Sequence, residues 1–166
     1  ETLDQLDLNE HLSKIERDKL DAIDKEIVSY KNIYGLIDFN DMIQKFLDKG
    51  KTPEFDVIFV DEAQDLSLIQ WSMIKKIEED TKCDVWIAGD DDQAIFGWAG
   101  ADVDSFINWE AEEIPLKYSK RVPSSIQKIA LDVISRVQDN RLDKEYFPKE
   151  DTGNIFQIYK LSDIDM

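Results

Sequence analysis

Two acidic residues, Asp61 and Glu62, directly follow the unbroken apolar run Val-Ile-Phe-Val over residues 57–60. A run of β-branched and aromatic residues predicts a strand of a parallel sheet that is buried on both faces. The two carboxylates would then lie at the carboxyl end of that strand, where open α/β sheets bind ligands. One carboxylate there can hold Mg²⁺ together with water and phosphate oxygens, and its neighbour can polarise a water molecule. The alternative is that both acids only begin a helix.

A second apolar segment, residues 84–88, ends in Gly89 and three consecutive acids, Asp90 to Asp92, which Gln93 follows. A single Asp in this position would be an ordinary turn residue. Three acids followed by a glutamine, two glycines and two aromatic residues instead indicate a ligand site at the end of a second buried strand.

The two stretches have a familiar order and spacing. Residues 61–65, Asp-Glu-Ala-Gln-Asp, and residues 89–101, Gly-Asp-Asp-Asp-Gln-Ala-Ile-Phe-Gly-Trp-Ala-Gly-Ala, closely resemble motifs II and III of the UvrD/Rep/PcrA-type superfamily 1 DNA helicases. Two long motifs in register are a stronger signal than either alone. The resemblance implies an α/β fold, namely part of a RecA-like P-loop NTPase domain with a parallel sheet flanked by helices.

The resemblance also implies ATP and Mg²⁺ as cofactors and gives the polar residues separate roles. Asp61 would hold the magnesium ion, and Glu62 would orient and activate the attacking water. Gln93 would sense the γ-phosphate through its amide. Asp90 and Gln64 would belong to the nucleotide-binding set, with Gln64 reaching towards the neighbouring motif or the nucleotide.

The aromatic residues of the second stretch are expected to divide between DNA binding and packing. Trp98 would present a ring on which a DNA base stacks, and the alternative is a core tryptophan. Phe96 is expected to pack internally. The family usually carries Arg where this sequence has Ala99, so a contact thought to join DNA to the nucleotide site would be missing or supplied elsewhere.

A third stretch, residues 115–126, resembles motif IV. A strand through residues 114–118 is predicted to lead to a helix that has Pro123 near its first turn. Arg121 matches the arginine that reaches the γ-phosphate in the family, and the alternative is a surface arginine near the helix start. Lys120 takes the place of the tyrosine that stacks on adenine, so base recognition would be weaker or would use another group.

Helical patterns surround these stretches. Residues 1–30 predict one or two solvated helices with one buried stripe. Asp38 and Ser67 are predicted to cap two further helices. Near the end of the chain, residues 154–159 alternate like an exposed edge strand.

No phosphate-binding (Walker A) loop is found in the sequence. The segment Gly50-Lys51-Thr52 mimics the end of such a loop, but the residues before it are helical in pattern and Pro53 follows it, so we reject it. We therefore expect a fragment of an ATP-dependent DNA helicase or translocase, inactive by itself. The alternative is a degenerate helicase-like domain that acts as a protein-interaction module.

The motifs predict three parts of the chain. Residues 1–50 would be a helical segment leading into motor domain 1A, residues 51–138 the second half of 1A, and residues 139–166 the start of the second motor domain 2A. We expect Asp61, Gln93 and Arg121 to converge on one triphosphate.

The charge of the chain limits what it can bind by itself. The 166 residues include 37 acids and 20 bases and carry a formal net charge of −17. Because Lys and Arg supply most of the affinity for DNA phosphates, this piece alone should bind DNA weakly, and single-stranded or partly duplex DNA would be bound by the full-length enzyme.

No apolar run approaches the ~20 residues of a membrane span. A single cysteine, Cys83, favours a reducing, cytoplasmic location, and open sheet edges would allow the fragment to self-associate.

Overall fold

The computed structural model describes residues 14–137 and 141–156. The chain divides into two compact units, Glu1–Asn108 and Trp109–Met166. Both units mix helices with a small parallel sheet, as the prediction of an α/β fold requires. Within the described ranges, no helix is both long enough and apolar enough to cross a membrane. The predicted domain boundaries at residues 50 and 138 stay predictions.

The described part of the first unit begins with two helices, α1 (Lys14–Tyr34) and α2 (Phe39–Lys49). The apolar side of α1 includes Ile23, Ile27 and Tyr30, which are 55%, 50% and 56% exposed. The predicted buried stripe is therefore wrong for the described part of residues 1–30, because an apolar stripe at helical spacing does not guarantee that another element covers it. Residues 1–13 lie outside the described part.

The start of α2 has the predicted cap. Asp38 Oδ1 accepts the backbone N–H of Asp41 at 2.8 Å, and Asp41 Oδ2 accepts the backbone N–H of Asp38 at 3.0 Å. This reciprocal pair satisfies two backbone donors that the helix cannot satisfy itself. Lys31 Nζ on α1 donates to Asp38 Oδ2 at 2.9 Å and to Asp41 Oδ2 at 2.8 Å, so one ammonium joins the end of α1 to the start of α2.

We expect the junction of α1 and α2 to weaken in acid. The Asp41 N–H, followed by the Lys31 ammonium, lowers the pKa of Asp38 from its ordinary 3.8. Lys31, followed by the Asp38 N–H, lowers the pKa of Asp41. Because both pKa values are lower in the folded chain than in the unfolded one, the stabilisation is present above about pH 4 and is lost as the pH falls through the lowered values.

Thermal unfolding followed by circular dichroism between about pH 7 and about pH 2 tests this expectation. At pH values below about 4, the melting temperature should decrease. The decrease should be smaller in Lys31→Met, in which the two carboxylates lose their ammonium partner. Equal losses in the two proteins would contradict the assignment.

The centre of the first unit is a β-α-β arrangement of β1 (Val57–Val60), α3 (Leu68–Thr81) and β2 (Asp84–Ile87). The strands are parallel, and Ile58 pairs with Val85 and Phe59 with Trp86. Both strands occur where the sequence predicted them. A parallel pair needs a crossover between its strands, and α3 supplies it.

Helix α3 begins at the predicted cap, Ser67, whose backbone N–H and Oγ both donate to Gln70 Oε1, at 2.8 and 3.1 Å. It packs on α2, and Lys76 Nζ lies 5.8 Å from the ring centre of Phe46. The buried apolar residues of the described chain lie on and beside α3: Ala63, Ile69, Trp71, Ile74 and Cys83. The site described below is therefore supported by one small hydrophobic core.

One face of the two-stranded sheet is exposed. Phe59 is 79% exposed and Trp86 is 54% exposed, and their rings stack with centres 6.3 Å apart. Along β1, exposed residues alternate with half-buried ones. The prediction that β1 is buried on both faces is therefore wrong. An apolar run shows that both faces suit burial, but it does not show that this chain supplies two covering layers.

Three 3₁₀ turns and a short helix are the other elements of the first unit within residues 14–108. The turns are Ala63–Asp65, Asp91–Gln93 and Gly97–Ala99, and α4 (Val103–Ile107) packs against the first two. Gly50 follows the last residue of α2 and its N–H donates to Phe46 O at 2.8 Å. The rejection of Gly50-Lys51-Thr52 as a phosphate-binding loop is confirmed, because no strand precedes it and no helix follows it directly.

The second unit contains β3 (Tyr118–Pro123), α5 (Ser124–Ile134) and β4 (Phe147–Lys149). Strands β3 and β4 are parallel with an irregular register, and α5 packs on both. The strand predicted at residues 114–118 is therefore wrong by several residues. The predicted strand ended before the polar residues Ser119, Lys120 and Arg121, but an exposed side of a two-stranded sheet accepts polar residues. The edge strand predicted at residues 154–159 is wrong for 154–156, which form no strand, and residues 157–159 lie outside the described part.

Candidate functional site

The ends of β1 and β2 are joined by backbone hydrogen bonds. The N–H of Ala88 donates to Val60 O at 2.8 Å, and the N–H of Ala63 donates to Ala88 O at 3.0 Å. Asp61 and Glu62 therefore follow β1 at the carboxyl end of the parallel pair, as the sequence predicts. The two segments that follow these strands, which carry the acidic clusters at residues 61–65 and 89–93, therefore leave the sheet next to each other.

Glu62 has a left-handed backbone conformation, with φ 50° and ψ 42°. In a residue with a Cβ, this conformation raises the free energy by roughly 1–2 kcal/mol. Two hydrogen bonds hold it: Asp61 Oδ1 accepts the Glu62 N–H at 2.9 Å, and Glu62 O accepts the Asp65 N–H at 3.0 Å. Maintained backbone strain of this kind clusters at functional sites.

Gln64 is 1% exposed and joins the two predicted clusters. Its Oε1 accepts the backbone N–H of Asp90 at 3.0 Å, and its Nε2 donates to Glu62 Oε2 at 2.9 Å. The expectation that Gln64 reaches towards the neighbouring motif is confirmed by the bond to Asp90. Its contact with a nucleotide stays a prediction.

Asp90 organises the turn that follows β2. Its Oδ1 accepts the Asp92 N–H at 3.2 Å, and its Oδ2 accepts Nε2 of Gln93 at 2.7 Å. Asp90 is therefore bonded through its backbone to Gln64 and through its side chain to Gln93. The Gln93 side chain is exposed while one end of its amide is held.

A cleft of about 470 Å³ lies beside these residues. It brings together Glu62, Gln64 and Gln93, three of the residues that the sequence singled out, whereas Asp61 and Asp90 are not part of its described lining. Asp65 and Asp92 also line the cleft, although the motifs gave neither residue an individual role. The described lining consists of Glu62, Gln64, Asp65, Asp92, Gln93, Ile95 and Phe96.

The aromatic residues beyond the cleft are exposed. Trp98 is 80% exposed, so it is not a core tryptophan. Phe96 is 42% exposed, lines the cleft and lies with its ring centre 6.4 Å from that of Trp98. The expected internal packing of Phe96 is therefore wrong, because the 3₁₀ turns on either side of it hold this segment at the surface.

Arg121 lies in β3 of the second unit and its side chain is exposed. Its backbone N–H donates to Ser119 Oγ at 3.3 Å, and the Val122 N–H donates to the same oxygen at 2.9 Å. Arg121 is thus part of the strand that ends directly before α5, which begins at Ser124, and its position also agrees with the alternative of a surface arginine near the helix start. Its predicted convergence with Asp61 and Gln93 stays a prediction.

The donor set at the end of β1 suits magnesium that arrives with phosphates. Asp61 offers an exposed carboxylate, and Mg²⁺ takes one or two carboxylates while phosphates and water fill its other positions. The described residues contain no cluster of three or more His, Cys, Asp or Glu side chains able to hold a metal by themselves. The predicted role of Asp61 as a magnesium ligand stays a prediction.

Comparison with known proteins agrees on one family. The family model of the UvrD/REP helicase N-terminal domain matches residues 1–113. The chain is 34% identical over 139 residues to DNA helicase II of Escherichia coli K12, and 33% identical over 138 residues to DNA helicase II of Haemophilus influenzae; each match covers 75% of this chain and 19% of the relative. It is 30% identical over 140 residues to ATP-dependent DNA helicase PcrA of Bacillus subtilis, covering 75% of this chain and 18% of the relative. The chain thus spans about a fifth of the length of these relatives.

Proposed function

The chain belongs to the UvrD/REP helicase family, and from this premise we propose that it is a nucleotide-hydrolysing segment of an ATP-dependent DNA helicase. Residues 61–65, 89–101 and 115–126 would be motifs II, III and IV of a RecA-like motor. The observation that carries the proposal is the cleft at the ends of β1 and β2. Glu62 and Gln93 both line this cleft, and Gln64, which also lines it, is hydrogen-bonded to Glu62 and to Asp90.

Five of the residues that the sequence singled out each have one task in the proposed reaction. Glu62 orients the attacking water and takes its proton. Gln93 contacts the γ-phosphate with its amide, which offers both a donor and an acceptor. Asp61 holds Mg²⁺, which when bound neutralises phosphate charge. Asp90 holds the Gln93 amide in place, and Arg121 stabilises the charge on the transferred phosphoryl group.

The sequence lacks a phosphate-binding loop, so in this proposal another segment of the longer polypeptide supplies it. The 166-residue chain alone then does not hydrolyse ATP. The decisive experiment measures ATP hydrolysis by the full-length polypeptide with and without single-stranded DNA. Stimulation by DNA is expected, and a full-length protein that has a phosphate-binding loop but shows no hydrolysis would overturn the proposal.

Trp98 is the proposed DNA contact in this chain, because its ring is exposed beyond the cleft. Stacking of a base on an aromatic side chain contributes about 1–3 kcal/mol. We expect Trp98→Ala in the full-length polypeptide to weaken binding of a labelled single strand by about 5- to 150-fold in fluorescence anisotropy. Trp98→Phe, which keeps an aromatic face, should lose much less. Equal losses in both variants would show that Trp98 does not stack on DNA.

A second candidate function is a protein-interaction module without motor activity. Ala99 and Lys120, which replace the Arg and Tyr of the family pattern, and the net charge of −17 favour it. The ATP hydrolysis experiment also separates the two candidates, because the module would show no activity that DNA stimulates.

A further inference from the structure

The Gln64 side chain is shielded from a nucleotide in its present position. It is 1% exposed, although it forms part of the wall of the cleft. The amide oxygen accepts from the Asp90 N–H, and one N–H of the amide nitrogen donates to the Glu62 carboxylate. Because almost none of the side chain is exposed, a phosphate oxygen could contact the remaining amide N–H only after the surrounding groups had moved, and a buried donor or acceptor that loses its partner is unfavourable.

Four residues form one continuous hydrogen-bonded series. Glu62 Oε2 accepts from Gln64 Nε2 at 2.9 Å, Gln64 Oε1 accepts from the Asp90 N–H at 3.0 Å, and Asp90 Oδ2 accepts from Gln93 Nε2 at 2.7 Å. The series begins at the residue that activates water in the proposed function and ends at the residue that contacts the γ-phosphate. Gln64 is its buried middle.

Packing fixes Gln64 in this position. A Cβ on Gly89 would lie 2.7 Å from Gln64 Oε1 and 2.9 Å from Cε2 of Phe106. Only glycine at position 89 therefore leaves room for Gln64 Oε1 beside the end of β2. The Phe106 ring of α4 also borders this space. The side chain is held by hydrogen bonds at both polar ends, and glycine at position 89 leaves the room that Oε1 needs.

We propose that Gln64 is a positioning residue, not a nucleotide ligand: it sets the distance between the Glu62 carboxylate and the Gln93 amide. This inference rests on the proposed function, since Gln64 would affect the reaction only by positioning Glu62 relative to Gln93. A misplacement of a reacting group by about 1 Å can cost about a hundredfold in rate. Loss of the bridge should therefore reduce turnover without weakening nucleotide binding.

The test is steady-state DNA-stimulated ATP hydrolysis by the full-length polypeptide and its variants. Gln64→Leu keeps the approximate size but makes neither hydrogen bond, and we expect kcat to fall by about 10- to 100-fold while KM for ATP changes by less than about threefold. Gln64→His should restore a large part of kcat, because a neutral imidazole has one acceptor and one donor nitrogen.

Two further measurements on Gln64→Leu separate positioning from folding. Circular dichroism should show a folded chain, and a fluorescent ATP analogue should bind within about threefold of wild type although kcat is reduced. A raised KM with unchanged kcat would make Gln64 a nucleotide ligand and overturn the inference, and so would full kcat in a folded Gln64→Leu. An inactive wild type would overturn the proposed function itself, which distinguishes the two failures.

Discussion

Replacing Glu62 by glutamine in the full-length polypeptide is expected to lower kcat for DNA-stimulated ATP hydrolysis by about 10²- to 10⁴-fold. Glutamine has nearly the size of glutamate, and its amide oxygen can still accept from Gln64 Nε2, as Glu62 Oε2 does at 2.9 Å. It cannot take a proton from water. The loss should therefore fall on the chemical step, and binding of a fluorescent ATP analogue should stay within about threefold of wild type.

Glu79→Gln is the matched control, because Glu79 is an exposed glutamate of α3 and is not part of the described lining of the cleft. It should leave both kcat and ATP binding near wild type. Hydrolysis at the wild-type rate by Glu62→Gln would show that Glu62 is not the base. The left-handed backbone at Glu62 would then have no role in the proposed reaction.

The second large effect is expected on stability. Trp71 is 2% exposed and is the largest buried apolar side chain of the described chain, on the face of α3 that forms the core. Removal of a buried tryptophan side chain leaves a cavity and typically costs about 3–5 kcal/mol. We expect Trp71→Ala to lower the free energy of unfolding of this chain by about that amount in urea titrations followed by circular dichroism.

Trp86→Ala makes the same chemical change on the exposed face of the sheet, where the side chain is 54% exposed. It should cost roughly 1 kcal/mol or less, because water already reaches much of the ring. If the two variants lose the same stability, α3 does not form the core of the first unit.

Local sequence signals predicted the elements that carry the site. The apolar runs identify β1 and β2, and Asp38 and Ser67 cap helices where predicted, because a cap depends on neighbouring residues alone. The reach of Gln64 towards the second stretch came from the motif resemblance, and the fold confirms it. The hydrogen bond from the Asp90 N–H to Gln64 Oε1 could not be predicted atom by atom, because these residues are 26 positions apart and meet only after the strands pair.

The incorrect predictions have a shared physical origin. Phe59 is 79% exposed because an apolar residue type states a preference for burial, whereas burial itself requires a covering layer. Strand β3 includes Ser119, Lys120 and Arg121 for the converse reason: an exposed strand in a small sheet does not need apolar residues. Composition alone could not distinguish these cases, since both depend on how many layers surround each sheet.

The parallel pairing of β1 and β2 also sets the order in which the cleft can form. Two parallel strands cannot close as a hairpin, so β2 reaches β1 only after α3 has folded back between them. The amide protons of Ala63 and Asp90, which are bonded across the strand ends, are consequently among those that should exchange slowest with solvent. The geometry around Glu62 therefore depends on the folding of the whole β-α-β crossover and not on the two turns alone.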